Sequence, residues 1–369
     1  TRLAPTVKRT RSSLAAIVYT SGSTGRPKGV MLTHEALVSN ARAVAGYLGL
    51  TQADRTLLVL PLGYVLGLSV LITHVVAGAS LVLQRRFLFP SVVLDALADH
   101  RCTGFYGVPA TYALLLRSAQ PAGPDPEGSV ALSSLRYLAQ AGGPLCPELQ
   151  ARICDAFPGA TLYVMYGATE AGPRISYRVV DAPDRAGPSA GAPLPGVEVR
   201  VCDPDGTECS AGEAGEIRVR SPGLMLGYWR DAEATQEVLQ DGWYLTGDLG
   251  FLDQHGELTI TGRARDFLKV RGHRVSPRAI EHELCEMDGV RDAAVIGVAD
   301  DLHGEVPVAY LVADDGAVEA VAEAVARRLP PWMRPVAYQR LESLPRTASG
   351  KVDRPALRAH HRAAESEAV

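Results

Sequence analysis

Short apolar runs rich in β-formers alternate with helical patterns through roughly the first 180 residues, and this alternation constrains the fold most. Helical patterns cover 33–48, where Thr33 is a suitable N-cap, and 91–100. Strands that alternate with helices favour a largely parallel sheet with helices on both faces, so an α/β fold is predicted. The predicted strands are 14–19, 56–60, 80–83, 104–108, 135–139 and 161–165.

The segment 64–83 is apolar and long enough to resemble a membrane span. However, Ser69, Thr73 and His74 lie inside it, and Gly78 interrupts it. A buried helix followed by a buried strand, with the break near Gly78, accounts for these residues better. We therefore predict no stable membrane span.

After about residue 185 the pattern changes to short strands separated by Asp/Gly turns, which is typical of a smaller antiparallel or barrel-like unit. From residue 265 onward, helices and strands indicate a compact α+β module. We predict a large N-terminal domain over 1–264, with its barrel-like part at 185–264, and a small mobile C-terminal domain over 265–369. The predicted strands in these parts are 197–202, 215–220, 256–261, 293–298 and 307–312, and the predicted helices are 277–287 and 317–329.

Charge and composition exclude several classes of function. The 369 residues carry a net charge of -4, so no basic field is available to hold nucleic acid or an anionic membrane. Aromatic residues make up only 6%, which argues against a surface for base stacking. The six cysteines form no CxxC pair, so a disulfide scaffold and a structural zinc site are not expected. With no apolar run before Leu14, no signal peptide is predicted, and we expect reduced thiols in a cytoplasmic protein.

Residues 19–29 read YTSGSTGRPKG and combine hydroxyl groups, glycines and a lysine directly after a predicted strand. Glycines let the backbone approach a polyphosphate, and hydroxyl and N–H groups then bind its oxygens. Lys28 adds a point charge, although the spacing is not that of a Walker A loop. The candidate phosphate-binding residues are Thr20, Ser21, Gly22, Ser23, Thr24, Gly25 and Lys28.

Further motifs follow this loop, and they occur in a fixed order: YGATE at 166–170, YLTGD at 244–248, GRARD at 262–266 and LPRTASGKVDR at 344–354. Together with the loop at 19–29, they resemble the AMP-forming adenylating enzymes. This family comprises acyl-CoA synthetases, adenylation domains of peptide synthetases, and luciferases. The chain is most similar to the acyl-CoA synthetases.

The resemblance implies a site for Mg²⁺ and ATP. Tyr166 and Gly167 would lie against the adenine, Thr169 would contact a phosphate, and Glu170 would ligate Mg²⁺ together with Thr24. A carboxylate and a hydroxyl are hard oxygen ligands, which suit a Mg²⁺ ion that bridges phosphates.

The resemblance also implies contacts to the ribose and to the acid. Asp248 would accept hydrogen bonds from the ribose hydroxyls, supported by Arg263, because charge-assisted bonds to a diol are strong and specific. Gly142 in the string QAGGPL would leave room for the nucleotide. The implied residues of the acyl pocket are Tyr64, Gly143 and Ala168.

In the C-terminal part, Lys351 is the implied catalytic cation between the attacking carboxylate and the α-phosphate. Such a donor typically contributes about 3–4 kcal/mol to the transition state. Asp266 falls at the implied hinge, and Gly272 would line the thiol tunnel with Lys269 and Arg274. Because Lys351 and Gly272 cannot both face the site, the C-terminal domain would rotate between two half-reactions.

The reaction implied is AMP-forming ligation of a carboxylic acid to coenzyme A, through an acyl-adenylate. Between Leu60 and Ser80 no carboxylate is present to pair with an α-amine, which favours a fatty or aryl acid over an amino acid. Tyr64 stands where acyl-CoA synthetases often have a histidine.

Two alternatives stay open. One is a relative that loads an acyl carrier protein or performs only the thiol transfer, and the other is a fragment that binds acyl-adenylate without turnover. The family carries roughly 150 residues, about a domain's length, before the phosphate loop. Here 18 residues precede Tyr19, and the first is Thr1. This difference is the reason for considering a fragment that binds acyl-adenylate without turnover.

Overall fold

A computed structural model describes residues 9–21, 27–84, 89–118, 132–264, 266–300, 304–347 and 350–367. Within these residues the chain forms nine α-helices and four β-sheets. The elements up to residue 193 are β1 (Leu14–Ser21), β2 (Pro27–Thr33), α1 (His34–Tyr47), β3 (Arg55–Leu58), α2 (Val65–Ala77), β4 (Ser80–Leu83), α3 (Pro90–Asp99), β5 (Gly104–Gly107), α4 (Pro109–Ser118), β6 (Tyr137–Gln140), α5 (Pro147–Ala156), β7 (Thr161–Ala168), β8 (Gly172–Val180) and β9 (Ala192–Pro193).

The largest sheet has seven strands in the order β4-β3-β5-β6-β7-β8-β9. The first five strands are parallel, and β8 and β9 join them antiparallel. This confirms the predicted α/β fold with a mostly parallel sheet. A parallel sheet needs both faces covered, and two hydrophobic cores cover them here. Leu138 points into one core, whereas its neighbours Tyr137 and Ala139 point into the other.

The segment 64–83 folds as predicted, into α2 followed by β4. Gly78 ends the helix in the left-handed conformation, at φ +69°, which a residue without a Cβ adopts readily. Among the described residues, no helix is both long and apolar enough to cross a membrane. The N-cap prediction for Thr33 is also confirmed, because its hydroxyl accepts a hydrogen bond of 3.0 Å from the Ala36 amide.

Other predictions for this half are wrong. The loop after β1 leads into β2 rather than into a helix, and Lys28 lies on that second strand. Buried Val30 and Leu32 flank the more exposed Met31, which is a strand pattern. So short an alternation does not distinguish a strand from the start of a helix. Helices α4 and α5 were not predicted.

An antiparallel sheet follows, as expected for the smaller unit. It has the order β10-β11-β14-β13, with β15 paired to β14, while β12 pairs with β2 of the first hairpin. The ten-residue strand β14 was not predicted, because its TGD string is typical of a turn when read alone. The elements are β10 (Glu198–Cys202), β11 (Gly215–Arg220), β12 (Gly227–Tyr228), α6 (Ala232–Val238), β13 (Leu239–Gln240), β14 (Trp243–Leu252) and β15 (Leu258–Arg263).

The C-terminal part forms a separate five-stranded sheet in the order β17-β16-β19-β18, with β20 parallel to β19. Helices α7 and α8 pack on one face, and Leu357 of α9 packs on the other. The elements are β16 (Leu268–Val270), β17 (His273–Val275), α7 (Pro277–Cys285), β18 (Val290–Asp300), β19 (Gly304–Ala313), α8 (Ala317–Arg328), β20 (Ala337–Arg340) and α9 (Arg354–Glu367).

Candidate active site

Three of the sequence motifs meet at the carboxylate of Asp248. The Tyr166 hydroxyl donates to Asp248 Oδ2 over 2.7 Å, and Arg263 Nε donates to Oδ1 over 2.8 Å. The pairing of β14 with β15 places Asp248 opposite Arg263, so strand register alone holds this ion pair. The Asp248 amide is fixed in turn by the Thr246 hydroxyl, at 2.9 Å. The result is an acceptor that is only 3% exposed and held on two sides.

The charges of this cluster support one another. Burial, and then the negative charge of Asp248, raises the pKa of Tyr166 well above its usual range. The same carboxylate raises the pKa of Arg263, against the effect of burial. The phenol therefore stays a neutral donor and the guanidinium stays charged, so both remain hydrogen-bond donors to Asp248.

A second carboxylate, Glu170, is positioned by a residue that sequence analysis missed. The Tyr228 hydroxyl donates to Glu170 Oε1 over 3.0 Å, and Lys28 Nζ lies 4.9 Å from the centre of the Tyr228 ring. Tyr228 reaches this place because β12 pairs with β2, which brings it opposite Val30. Its surrounding sequence is typical of a strand with glycine turns, and a lone tyrosine there carries no signal of its own.

The turn between β7 and β8 places the rest of the YGATE motif beside these groups. Thr169 is 9% exposed, and Ala168 pairs with Gly172 at the end of the strand ladder. A Cβ on Gly167 would collide with the carbonyl oxygen of Pro173, so only glycine allows this close approach.

The ends of β5 and β6 form the neighbouring wall. Gly142 has φ +91°, and a Cβ on it would lie 3.2 Å from Val108. Gly143 lies next to Pro109, and Tyr64 is the N-cap residue of α2 with 37% exposure. Ligands of open α/β sheets bind at the carboxyl ends of the strands, which is where these residues lie.

The segment that carries Lys351 packs directly on this wall. A Cβ on Gly350, whose φ is +82°, would lie 2.6 Å from the Val108 side chain. The loop is closed on itself, because the Thr347 amide donates to the Lys351 carbonyl oxygen over 2.8 Å. Arg346 donates to the Gly350 carbonyl oxygen over 3.1 Å and pairs with Asp292 on β18. The loop is thus attached to the C-terminal sheet through Arg346 and Asp292, and it packs against Val108 on its other side.

The charges of both carboxylates act on Lys351. Burial and then the charge of Arg263 lower its pKa, while Asp248 and Glu170 act in the opposite direction.

The predicted thiol-tunnel residues lie elsewhere. Gly272, in the turn between β16 and β17, has φ +81° and would meet no atom within 4 Å of an added Cβ. Lys269 is exposed, and its amide donates to Glu305 over 2.8 Å. Arg274 is the strand partner of Lys269, and its side chain lies outside the described part. The amide of the predicted hinge residue, Asp266, donates to the Arg263 carbonyl oxygen over 3.2 Å.

The tip of the predicted phosphate loop lies outside the described residues, and that tip contains Gly22, Ser23, Thr24 and Gly25. The side chain of Ser21 lies outside them as well. What is described is the base of the loop, where Thr20 pairs with Lys28 across β1 and β2.

The expectation that all cysteines are reduced is wrong for one pair. Cys146, before α5, and Cys285, at the end of α7, form a disulfide with Cα atoms 5.1 Å apart. They are 139 positions apart in the chain, so their spacing gave no indication of contact, and only the packing of the two parts brings them together.

The donor set fits a magnesium ion held mainly by phosphates. Glu170 supplies a carboxylate, which is a hard oxygen ligand, whereas the other predicted ligand, Thr24, lies outside the described residues. Within the described part of the chain, no group of three or more His, Cys, Asp or Glu residues is arranged to hold a metal by itself. Mg²⁺ typically takes one or two carboxylates plus substrate phosphates, and this site offers that combination.

Known proteins resemble this chain in sequence and in architecture. Residues 2–229 match the family model described as "AMP-binding enzyme", and residues 279–351 match "AMP-binding enzyme C-terminal domain". The chain is 34% identical to 4-coumarate–CoA ligase 3 of Oryza sativa, over 96% of this chain and 65% of the ligase. It is 37% identical to a feruloyl-CoA synthase of an Amycolatopsis species, over 91% of this chain and 67% of the synthase.

Solved structures agree. ATP-bound MatB from Rhodopseudomonas palustris superposes with a TM-score of 0.81 at 33% identity, over 96% of this chain and 70% of that one. The o-succinylbenzoate CoA synthetase of Bacillus subtilis, solved with its acyl-adenylate intermediate, gives 0.77 at 33% identity, over 94% and 69%. The protein belongs to the AMP-binding enzyme family. It spans about two thirds of the length of the curated relatives that it matches.

Proposed function

We propose that this protein is an AMP-forming ligase that joins a carboxylic acid to coenzyme A through an acyl-adenylate. The observation that carries the proposal is the position of Lys351. Gly350 packs its loop against Val108, and the charges of Asp248 and Glu170 both act on its ammonium group. The named activities of the relatives, which act on 4-coumarate and ferulate among other acids, support a substrate with a fatty or aryl carbon skeleton.

In the first half-reaction, the acid's carboxylate attacks the α-phosphorus of ATP and pyrophosphate leaves. The two reactants are both anionic and repel each other as they approach. The Lys351 ammonium offsets this negative charge as the new bond forms. Lys28 adds a cation near the phosphates, and Thr169 would contact a phosphate. Glu170 with Thr24 would hold Mg²⁺, which would neutralise phosphate charge.

Asp248 would hold the ribose. Its two oxygens already accept from Tyr166 and Arg263, and each retains a lone pair that can accept from a ribose hydroxyl. Because the carboxylate is fixed from both sides, the nucleotide is oriented for in-line attack.

In the second half-reaction, the thiol attacks the acyl carbon and AMP leaves. Gly272 and Lys269 are exposed in this arrangement, so we propose that the C-terminal domain turns about Asp266 to bring them, with Arg274, to the cleft in place of Lys351. In this proposal the two domains that move relative to each other are residues 1–264 and 265–369.

The test is to incubate the protein with ATP, Mg²⁺ and a pool of fatty and aryl acids, with and without CoA, and to identify products by mass spectrometry. We expect acyl-CoA, AMP and pyrophosphate, and we expect Lys351→Ala to slow acyl-adenylate formation by about 10²–10³-fold. The variant should still convert a synthetic acyl-adenylate and CoA into the thioester. Absence of product from the wild-type protein, even with synthetic acyl-adenylate and CoA, would overturn the proposal.

A further inference from the structure

Arg174 is a buried cation that no described carboxylate pairs with. It lies on β8 with 1% exposure. Its Nε donates to the Met165 sulfur and its Nη1 to the Pro173 carbonyl oxygen, both over 2.8 Å. Among the residues that the structure describes, its Nη2 has no hydrogen-bond partner. An unpaired buried charge is strongly unfavourable, so this guanidinium points to an anion that arrives from outside the chain.

The surroundings of Arg174 are polar as well as buried. Asn40 of α1 donates to the Arg174 carbonyl oxygen over 2.8 Å, while its own Oδ1 has no partner among the described residues. Thr73 of α2 is fully buried, and its hydroxyl lacks a partner in the same part of the chain. It follows Val70 by one helical turn, and Val70 belongs to the core between the helices and the sheet. The buried phenol of Tyr106 faces that same core.

This polar layer is continuous with the proposed site. Arg174 comes four residues after Glu170, which limits the separation of their Cα atoms to about 13 Å. The backbone at Pro173 and Arg174 lies against Gly167 of the YGATE motif. An acid whose reacting carboxylate lies beside Glu170 and Lys351 can therefore extend along β8 until its far end meets the guanidinium.

We propose that Arg174 determines specificity, and that the substrate is a carboxylic acid with a second anionic group, a distal carboxylate, at its far end. This rests on the proposed ligase function and narrows its substrate class. Nη1 keeps one N–H group and Nη2 keeps two, so the guanidinium can donate two parallel hydrogen bonds to a carboxylate. Asn40 and Thr73 supply further polar contacts for the same group.

The test compares straight-chain dicarboxylic acids with monocarboxylic acids of equal carbon number, by kcat/KM for pyrophosphate release. We expect the wild-type protein to prefer the best diacid over its monoacid by at least about 10²-fold, since a site built for a polar group rejects the analogue that lacks it. Arg174→Met should lose or reverse that preference, and Arg174→Lys should keep part of it. Arg185→Met, which removes an exposed arginine, is the matched control and should behave as wild type.

A second readout is binding of the same acids in the presence of AMP, measured by titration calorimetry, with thermal melting to show that each variant is folded. If neither acid is turned over but the diacid binds and Arg174→Met abolishes that binding, the ligase proposal fails and the assignment of Arg174 stands. A wild-type preference for the monoacid, or a preference that Arg174→Met leaves unchanged in both assays, would overturn the assignment.

Discussion

At the scale of single residues, Lys351 and Arg174 are cations in opposite circumstances. The charges of two carboxylates, Asp248 and Glu170, act on Lys351. Arg174 is locked by its own strand and has no carboxylate beside it among the described residues. A cation that already has anions nearby suits catalysis, whereas a cation that lacks one suits recognition.

The lowered pKa of Lys351 predicts an alkaline limb in the rate of adenylate formation. Only the ammonium form offsets charge, so kcat/KM should be full below the lowered pKa and should fall as pH rises through it. That fall should begin below the ordinary lysine pKa of 10.5, since burial and Arg263 disfavour the charged form.

Lys351→Arg is the variant that checks this assignment, because arginine stays protonated over the whole range. Its overall rate should be lower, since its geometry differs, but its alkaline limb should disappear or shift upward. The pH dependence of kcat/KM for pyrophosphate release measures both. If both proteins showed the same alkaline limb, another group would be the source of it.

At the scale of elements, the loop that carries Lys351 in the C-terminal part packs against Val108, directly after β5 of the large sheet. Its described residues are 344–347 and 350–354, and Gly350 has a left-handed backbone with φ +82°. The contact with Val108 leaves no space for a methyl group, so this glycine is required both for the backbone and for the docking.

Gly350→Ala should therefore reduce adenylate formation by about tenfold or more while leaving thiol transfer from a synthetic acyl-adenylate almost unchanged. The added Cβ would contact Val108 and displace Lys351 from the cleft. Separate assays of the two half-reactions measure this split.

Gly316→Ala is the matched control, because Gly316 has φ +77° but open space around an added Cβ. It carries the same backbone strain without the steric contact, so both half-reactions should resemble those of the wild type. Equal losses in the two variants would show that backbone strain, rather than docking on Val108, is responsible.

At the scale of the whole molecule, the C-terminal part contacts the N-terminal part through α7, β18 and the loop of Lys351. Helix α7 packs on β15, the Ser276 hydroxyl donates to the Thr261 carbonyl oxygen over 3.3 Å, and α5 meets β18. The Cys146–Cys285 disulfide adds a covalent link at the same boundary. This link holds the arrangement in which Lys351 occupies the cleft.

If the C-terminal domain must turn for thiol transfer, the disulfide should block that step. We expect oxidised protein to form acyl-adenylate at the rate of reduced protein, but to form acyl-CoA at least about tenfold more slowly. Dithiothreitol should restore the second step, and thiol labelling confirms the redox state in each assay.

Cys285→Ser, which cannot form the link, should produce acyl-CoA at one rate with or without the reductant. Equal rates of acyl-CoA formation in oxidised and reduced wild-type protein would mean that the turn is not needed or that the link does not restrain it.

The amino-acid sequence by itself determined the local features of this protein. Hydrophobic periodicity and glycine positions gave the strands of the parallel sheet, the division of 64–83 into helix and strand, and the cap at Thr33, because each depends on neighbours a few residues apart. The motifs likewise indicated Lys351, Glu170 and Asp248 as candidates, because each lies in a short contiguous sequence motif.

Only the tertiary structure decided how these pieces meet. It paired Tyr228 with Glu170, packed Gly350 on Val108 and joined Cys146 to Cys285. It also buried Arg174 where none of the described carboxylates pairs with it. In the first three cases the partners lie 58 or more positions apart, and no local sequence pattern predicts a contact over that distance. Strand order and domain packing create such contacts, and the surroundings of Arg174 depend on them in the same way.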